Sequence, residues 1–350
     1  MVPTTGDRTP PQEPGQPSDL RGANARRLLA GLRELGPASR PELARHLGLS
    51  SVTVASIARH LVSGGVLVEA GTRGQGVGRK ALVLDVAPTA GTAFVADIRL
   101  DDVRWRQLGP RGDQRRAGGF ALPSSVDALV ACLAKAAAPA RCGPLDVVVA
   151  VPATVEEDGT VRYWSRRGML HGVDLRSRLA AALGTPAVVV ANDVNLAAIG
   201  EHRSGAARGW SRFVLIDVRA TGIGMGLILD QHLYRGANGR AGEIGNLRLS
   251  GDGTPLDDRF SRISPDSLAE LAKVLAVTFA VLDLDGVVVH SEIERGFGWF
   301  TSLAQQLHAL VPFPIEMVRS ELQDDAVLAG AALVALDALW PRLSALPASD

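Results

Sequence analysis

Three glycines, Gly222, Gly224 and Gly226, alternate with apolar residues and lead into the apolar run Leu227–Leu229. This pattern predicts a tight turn that feeds a buried strand, with glycine where the backbone must approach another group closely. The following residues, Asp230–Tyr234, predict a turn and a short return strand. With 350 residues, the chain is long enough for two or three compact units and a substantial core around such a strand.

A glycine-rich loop, Arg235–Gly242, follows this hairpin and precedes Glu243. A carboxylate in such a loop can accept hydrogen bonds from a polyhydroxylated ligand. The same residues are also compatible with an ordinary surface loop and a solvated glutamate. The glycines alone therefore leave open whether Glu243 belongs to a binding site.

The N-terminal quarter of the chain differs in charge from the rest. Residues 21–86 contain ten basic and four acidic side chains, a formal net charge of +6, although the whole chain is neutral with 37 of each. A local basic excess in a neutral chain is typical of a nucleic-acid-binding module joined to another domain. We therefore predict a disordered, proline-rich leader over residues 1–20, a DNA-binding domain over 21–87 and a larger domain over 88–350.

Three amphipathic helices are predicted in the basic region. Apolar spacing predicts the first helix over Asn24–Leu35, Ser39 is the expected cap of the second, and Ser50 or Ser51 that of the third. The second and third helices are joined by the short turn Gly48–Ser50. A helix, a glycine-bearing turn and a second helix form the unit that places its second helix in the DNA major groove.

Two predicted strands, Val66–Glu69 and Ala81–Leu84, flank the basic loop Gly71–Lys80. Three helices followed by a basic hairpin predict a winged helix-turn-helix that binds a double-stranded DNA operator; a small helical domain with a basic surface is the alternative. The wing would contact phosphates and the minor groove, while outward side chains of the third helix would contact base edges. The predicted DNA-binding residues are Ser51, Thr53, Ser56, Arg59, Arg79 and Lys80.

The larger domain contains three distinctive segments in order, Ala191–Ala198 with Gly200-Glu201, Gly222–Ile228 and Gly239–Gly245. In order, spacing and content these segments resemble the ROK family of sugar kinases and sugar-responsive repressors. This resemblance implies a two-lobed, actin-like and ribonuclease H-like fold, with lobes near residues 88–200 and 201–350. The whole chain is thus expected to be an α/β protein with an N-terminal winged helix-turn-helix.

The resemblance also implies a binding site for a sugar or sugar-phosphate effector. In kinases of the family, the aspartate that matches Asp193 takes a proton from the sugar hydroxyl, and the asparagine that matches Asn192 binds the sugar. Glu243 and Asn246 complete the expected site, Asn246 standing where family members commonly have histidine. From the residues alone, however, a carboxylate at the start of a helix is usually a cap.

Two features of the ATP-dependent family members are missing from the sequence. Their first strand, here the apolar segment Thr92–Ile98, runs into an Asp-x-Gly-Gly-Thr turn that holds ATP phosphates. In this chain Asp97 is followed by Ile98-Arg99-Leu100-Asp101-Asp102, whose side chains and carboxylates would obstruct and repel phosphates. A Gly-Gly nucleotide turn is replaced by His290-Ser291-Glu292. We therefore predict no catalytic residues and no cofactor.

The cysteine-rich zinc segment of the family is missing as well. Its expected place, Ser250–Asp258, contains no cysteine, and Cys132 and Cys142 lie far upstream. Because zinc sites need several nitrogen or sulfur ligands, we predict no metal. The low cysteine content, the absence of a signal-like N-terminus and the shortness of the apolar runs indicate a cytoplasmic protein without a membrane partner.

These observations predict a transcriptional regulator, a repressor of sugar-related genes whose ROK domain binds an effector and mediates oligomerisation. A homodimer, or a dimer of dimers, would present two DNA-binding heads to a pseudo-palindromic operator. One alternative is an ATP-dependent sugar kinase with a DNA-binding head. Another is a regulator whose ROK domain only dimerises and senses no ligand.

Overall fold

The structure of this protein is a computed structural model that describes residues 17–73, 81–138, 141–163, 168–219, 222–293 and 298–344. Contacts along the chain divide it into two units, one formed by Met1–Ala90 with Trp340–Asp350 and the other by Gly91–Leu339. The first sixteen residues of the predicted leader, and Arg79 and Lys80 of the predicted wing, lie outside the described residues.

Three helices and a three-stranded antiparallel sheet, of which β3 is the central strand, make up the described part of the first unit before residue 90. The first helix begins at Pro17 rather than Asn24, so residues 17–20, which were predicted to be disordered, are helical. The elements are α1 Pro17–Leu35, β1 Ala38–Ser39, α2 Arg40–Leu47, α3 Ser51–Ser63, β2 Leu67–Arg73 and β3 Ala81–Val86.

Local side-chain hydrogen bonds determine where α2 and α3 begin. The Ser39 hydroxyl accepts from the Glu42 N–H, and the Glu42 carboxylate accepts from the Ser39 N–H at 2.7 Å. Gly48 ends α2 in the left-handed conformation at φ 64°. Ser50 caps α3 by accepting from the Thr53 N–H at 3.1 Å. Helix α3 packs inward through Val54, Ile57, Ala58 and Leu61.

The second unit consists of two lobes that follow one another along the chain. The elements of the first lobe are β4 Thr92–Ile98, β5 Asp102–Leu108, β6 Gln114–Ala121, α4 Val126–Ala137, β7 Leu145–Val151, β8 Thr154–Val155, β9 Val161–Tyr163, α5 Leu175–Leu183 and β10 Val188–Asn192. The remaining elements are α6 Asp193–Ser204, β11 Phe213–Arg219, β12 Gly222–Leu229, β13 His232–Leu233, α7 Leu256–Arg259, α8 Pro265–Leu282, β14 Gly286–Ser291, α9 Gly298–Leu310, β15 Glu316–Arg319 and α10 Ala326–Leu343.

The described residues of the two lobes form two five-stranded sheets with the same connectivity. Their strand orders are β10-β7-β4-β5-β6 and β13-β12-β11-β14-β15. In the first sheet, the central strand β4 pairs antiparallel with β5 and parallel with β7. In the second sheet, the central strand β11 pairs antiparallel with β12 and parallel with β14. Ligand sites of open α/β sheets lie at the carboxyl ends of parallel strands. The last residues of β4 and β11, Asp97 and Asp217 among them, are therefore the place to look for a site.

The alternating glycines of β12 let helix α6 pack directly on the strand. A Cβ on Gly224 would lie 2.6 Å from Val194 Cγ2, and a Cβ on Gly226 would lie 2.8 Å from Ala198 Cβ. Both separations are shorter than carbon atoms tolerate. The close approach that these glycines predict is therefore made to a helix of the protein's own core.

The long apolar helix α10 also packs against α6. Gln323–Leu343 is long and apolar enough to cross a membrane, in contrast to the short apolar runs seen elsewhere in the sequence, but half of the segment is buried within the structure. A Cβ on Gly200 of α6 would lie 2.5 Å from the Ala326 carbonyl oxygen. Such close helix contact and burial are typical of a core helix.

Candidate functional site

The four residues predicted to bind an effector line one cavity of about 80 Å³. Asn192 and Asp193 lie at the junction of β10 and α6, while Glu243 and Asn246 lie between β13 and α7. Asp193 is only 3% exposed, whereas Asn246 is exposed at the edge of the cavity. The fold thus brings the four side chains together, and their role in binding stays a prediction.

Asn192, and not Asp193, caps helix α6. The Asn192 Oδ1 accepts from the Asn195 N–H at 3.0 Å, and its Nδ2 donates to the Ala153 carbonyl oxygen at 3.3 Å. Asp193 is the first residue of the helix, and its Oδ1 accepts from the Val194 N–H at 2.9 Å. The helix dipole and this hydrogen bond favour a carboxylate here. The Val194 N–H does not occupy the second oxygen, Oδ2.

Among the described residues, three buried aspartates surround the guanidinium of Arg219. Arg219 Nε donates to Asp217 Oδ2 at 2.7 Å, and its Nη1 lies 3.7 Å from Asp193 Oδ2. Asp97, which is fully buried at the end of β4, interacts electrostatically with the same guanidinium. Burial opposes the charged form, but these three carboxylates raise the pKa of Arg219 above its ordinary value. The guanidinium is thus a permanent cation at the junction of the lobes.

This cluster shifts the pKa of Asp193 and that of Asp217 in opposite directions. Burial raises the pKa of Asp193 from 3.8 to about 7, because Arg219 offsets only part of the desolvation. Burial also disfavours the charged form of Asp217, but Arg219 and His290, whose Nδ1 lies 2.8 Å from Asp217 Oδ1, lower its pKa to about 2. At neutral pH Asp217 is therefore ionised, while Asp193 titrates.

Glu243 reaches the cavity from the glycine-rich loop, and burial, reinforced by the Asp257 carboxylate, raises its pKa. Asp257 was not singled out from the sequence. Its Oδ1 accepts from the Ile223 N–H at 2.9 Å, and a Cβ on Gly222 or Gly245 would collide with its carboxylate. In the sequence, the position of Asp257 is indicated only by Gly222 and Gly245, which leave room for its carboxylate. These two glycines lie in motifs that are far apart along the chain.

Residues 121–259 match the sequence model of the ROK family. The chain contains a ROK domain. A xylose repressor of Bacillus subtilis (strain 168) is 26% identical to it over 242 residues, which cover 67% of this chain and 62% of the repressor. The chain thus spans about three fifths of the length of the xylose repressors that it matches.

Solved structures similar to this chain include both a regulator and a kinase. A ROK family transcriptional regulator, a homologue of the E. coli MLC protein, superposes with a TM-score of 0.70 at 18% identity, covering 93% of this chain and 98% of the regulator. A ROK family glucokinase from Streptomyces griseus, in complex with glucose and AMPPNP, gives 0.58 at 21% identity, covering 71% of this chain and all of the kinase (100%). At these identities the likeness shows the fold alone, and that fold occurs in both a regulator and a kinase.

The turn between β4 and β5 carries side chains where a phosphate loop would need glycine. The Arg99 N–H donates to the Asp102 carbonyl oxygen at 2.9 Å, so the turn is tight. The Arg99 guanidinium forms an ion pair with Glu292, which follows β14 in the other lobe. Beside this pair lies a second cavity of about 220 Å³, which shares Asp193 and Arg219 with the first.

An arginine organises the segment of the ROK domain where the family's zinc cysteines are missing. Arg259 Nη2 contacts both carboxylate oxygens of Asp252, at 2.7 and 2.6 Å, and its Nε lies 3.3 Å from Glu270 of α8. Within the described ranges, no group of three or more histidine, cysteine, aspartate or glutamate side chains is placed to hold a metal ion. Ionic contacts therefore connect this segment to the lobe.

Three of the four predicted DNA-binding residues of α3 are exposed on the outer side of the helix. Ser51, Ser56 and Arg59 are exposed, whereas Thr53 is half-buried. The Thr53 hydroxyl lies 2.8 Å from the Ser50 hydroxyl, so it takes part in the helix cap.

One exposed residue of α3 was missed because it is apolar. Val52 is 81% exposed and lies four and seven residues before Ser56 and Arg59, on the same helical face. Single exposed apolar side chains are common on protein surfaces, so the exposure of Val52 does not by itself assign it a role. Burial patterns, and not residue type, reveal it.

Proposed function

We propose that this protein is a DNA-binding transcriptional repressor of sugar-related genes, whose ROK domain senses an effector and has no kinase activity. The observation that carries the proposal is the tight turn after β4, where Arg99 forms an ion pair with Glu292. ROK kinases are expected to hold ATP phosphates at this position. Relatives that include several xylose repressors support the regulatory assignment.

Phosphate loops bind nucleotides through backbone N–H groups that are open to the ligand. In this turn the Arg99 N–H is already bonded to the Asp102 carbonyl oxygen, and the guanidinium above it is paired. Neither group is therefore open to a phosphate in this conformation. The turn therefore favours a regulator over an ATP-dependent sugar kinase.

The first unit supports the DNA-binding part of the proposal. Its α2, the turn at Gly48 and α3 are the parts of a helix-turn-helix, and β2 and β3 are the strands of the proposed wing. Arg59, Ser56 and the exposed Val52 would face the major groove, where a valine methyl can contact thymine. Arg79 and Lys80 would contact phosphates from the wing.

The effector part of the proposal rests on the shared cavity. Asn192, Asp193, Glu243 and Asn246 offer carboxylates and amides to sugar hydroxyl groups. Bound sugar would favour one closure of the two lobes, and that population shift would change how a dimer, or a dimer of dimers, holds a pseudo-palindromic operator. The protein would act in the cytoplasm.

Two alanine variants of the full chain test this division of labour. We expect Arg59→Ala to weaken binding to the DNA upstream of the protein's own coding sequence, measured by fluorescence anisotropy, without changing the thermal shift caused by sugar. We expect Glu243→Ala to abolish the sugar response without changing DNA affinity. Unchanged DNA affinity in the first variant together with an intact sugar response in the second would contradict the proposal. A coupled ATPase assay with hexoses should show no turnover, and robust phosphorylation would favour the kinase.

A further inference from the structure

We infer that the effector is an uncharged sugar and that the ROK domain rejects phosphorylated sugars. This inference rests on the proposed function, since it assumes that the cavity beside Asp193 binds a sugar. It selects between the two effector classes, sugar and sugar phosphate, that the sequence leaves open.

The first observation is the charge of the cavity walls. The effector cavity is lined by four carboxylates and a single guanidinium, and the adjoining cavity adds three carboxylates and one guanidinium among the described residues. The carboxylates are those of Asp193, Asp217, Glu243 and Asp257 in the first cavity and of Asp101, Asp102 and Glu292 in the second. A phosphate ester carries a charge between −1.5 and −2 at neutral pH, roughly the value for phosphoserine. Asp193 titrates near neutral pH, but the other carboxylates still outnumber the guanidinium groups in each cavity, so both cavities repel the phosphate.

The second observation concerns the two arginines, which are the cations that could offset this repulsion. Arg219 is bonded to Asp217 at 2.7 Å and lies 3.7 Å from Asp193, while Arg99 is paired with Glu292. Arg219 and both aspartates are almost completely buried. A phosphate group could use these guanidinium groups only by separating them from their carboxylate partners, which is strongly unfavourable for the buried Arg219.

The same carboxylates attract an uncharged sugar. Its hydroxyl groups donate hydrogen bonds, and the carboxylates that surround the cavity can only accept them when ionised. The Glu243 carboxylate lines the cavity and can accept such a bond. Asp193 Oδ2 can accept another, because the Val194 N–H occupies only Oδ1 of that carboxylate. Hydrogen bonds to charged acceptors are the stronger ones, so the same carboxylates that repel phosphate favour a neutral polyol.

A third cavity of about 270 Å³ is the other place where a phosphate could go. It is lined by two acids and two bases, so its formal charge is balanced. One of the bases, Arg235, donates to the Val155 carbonyl oxygen at 3.1 Å. Arg240 is the remaining basic side chain, and an Arg240→Gln variant reports whether a phosphate ester enters by this route.

Isothermal titration calorimetry on the full chain tests the inference with matched pairs of ligands. The probes are D-glucose, D-mannose and N-acetyl-D-glucosamine, each with its 6-phosphate, together with D-xylose and inorganic phosphate. We expect at least one free sugar to bind at least about 100-fold more tightly than its phosphate, equivalent to about 2.7 kcal/mol.

The possible results distinguish the rejection of phosphorylated sugars from the proposal that the ROK domain senses an effector. A 6-phosphate that binds within about tenfold of its free sugar, or more tightly, overturns this inference while the sensor proposal stands. In that case, loss of its binding in Arg240→Gln would locate the phosphate in the third cavity. Binding of no sugar and no phosphate, with operator binding intact, contradicts the sensor role and this inference together.

A charge-neutralising double variant provides a second measurement. Asp101→Asn with Asp102→Asn removes two carboxylates from the second cavity, and each like charge near a phosphate weakens its binding. We expect the preference for free sugar over phosphate to fall by at least about tenfold. The control is Asp266→Asn, an exposed residue in the first turn of α8, which should leave the preference unchanged. An equal change in the preference for free sugar over phosphate in the double variant and in Asp266→Asn would refute the electrostatic explanation.

Discussion

Replacing Asp193 by asparagine should stabilise the folded protein above neutral pH and change it little near pH 4. The pKa of this carboxyl is raised from 3.8 to about 7 by burial, so the folded state prefers its neutral form. The stability that this preference provides is present in full below pH 3.8 and is lost as the pH rises to about 7. Asparagine resembles the neutral form in shape and polarity and does not titrate.

The magnitude follows from the size of the pKa shift. A shift of roughly three units corresponds to about 4 kcal/mol, because each unit is worth about 1.4 kcal/mol. The difference in free energy of unfolding between Asp193→Asn and the wild type should therefore increase by about 4 kcal/mol, in favour of the variant, between pH 4 and pH 8.5. Urea unfolding at pH 4, 6, 7 and 8.5, followed by tryptophan fluorescence, measures the gain. Sugar binding should be weakened in the same variant, since a carboxylate acceptor is lost.

The neighbouring residue Asp217 is a matched control with the opposite sign. Its pKa is lowered to about 2, so its ionised form stabilises the fold above pH 3.8 and this stability is lost as the pH falls to about 2. Asp217→Asn should therefore destabilise the protein at neutral pH by about 2 kcal/mol or more, since Arg219 and His290 lose their partner. If the two variants show the same sign at pH 8.5, or if the effect of Asp193→Asn does not vary with pH, the assignment of charges in this cluster is wrong.

Three further substitutions probe packing, DNA contact and the segment without zinc. Gly226→Val places a Cβ 2.8 Å from Ala198 Cβ and should destabilise the protein by about 1–3 kcal/mol in urea unfolding; wild-type stability would show that α6 can shift. Arg59→Ala should cost about 1–3 kcal/mol of operator binding if it reads a base. If Arg59 instead contacts a phosphate, the variant should reduce the slope of log affinity against log salt concentration by about 0.9. Anisotropy measured over a salt series distinguishes a base contact, a phosphate contact and no contact. Arg259→Ala should lower the Tm by releasing Asp252, whereas EDTA should leave the wild-type Tm unchanged, and a fall with EDTA would reveal a metal.

Much of the local structure could be predicted because its causes lie within a few residues. Strand β4 begins and ends at the predicted residues, Thr92–Ile98, since its apolar run is continuous. Ser39 caps α2 through Glu42, three residues away, and Gly48 ends the same helix. The start of α1 was predicted too late, because Pro17 and the polar residues after it do not show the apolar spacing that marks Asn24 onward.

The chain alone also determined which residues meet at the site, since Asn192, Asp193, Glu243 and Asn246 lie in segments whose order and content identify a ROK domain. Only the tertiary structure decided the electrostatics of that site. The ion pair of Arg99 with Glu292 joins residues from different lobes, and the pKa of Asp193 depends on burial and on its distance to Arg219. Desolvation and Coulomb energies depend on separations in space and on access to water, and no local sequence pattern encodes either of these.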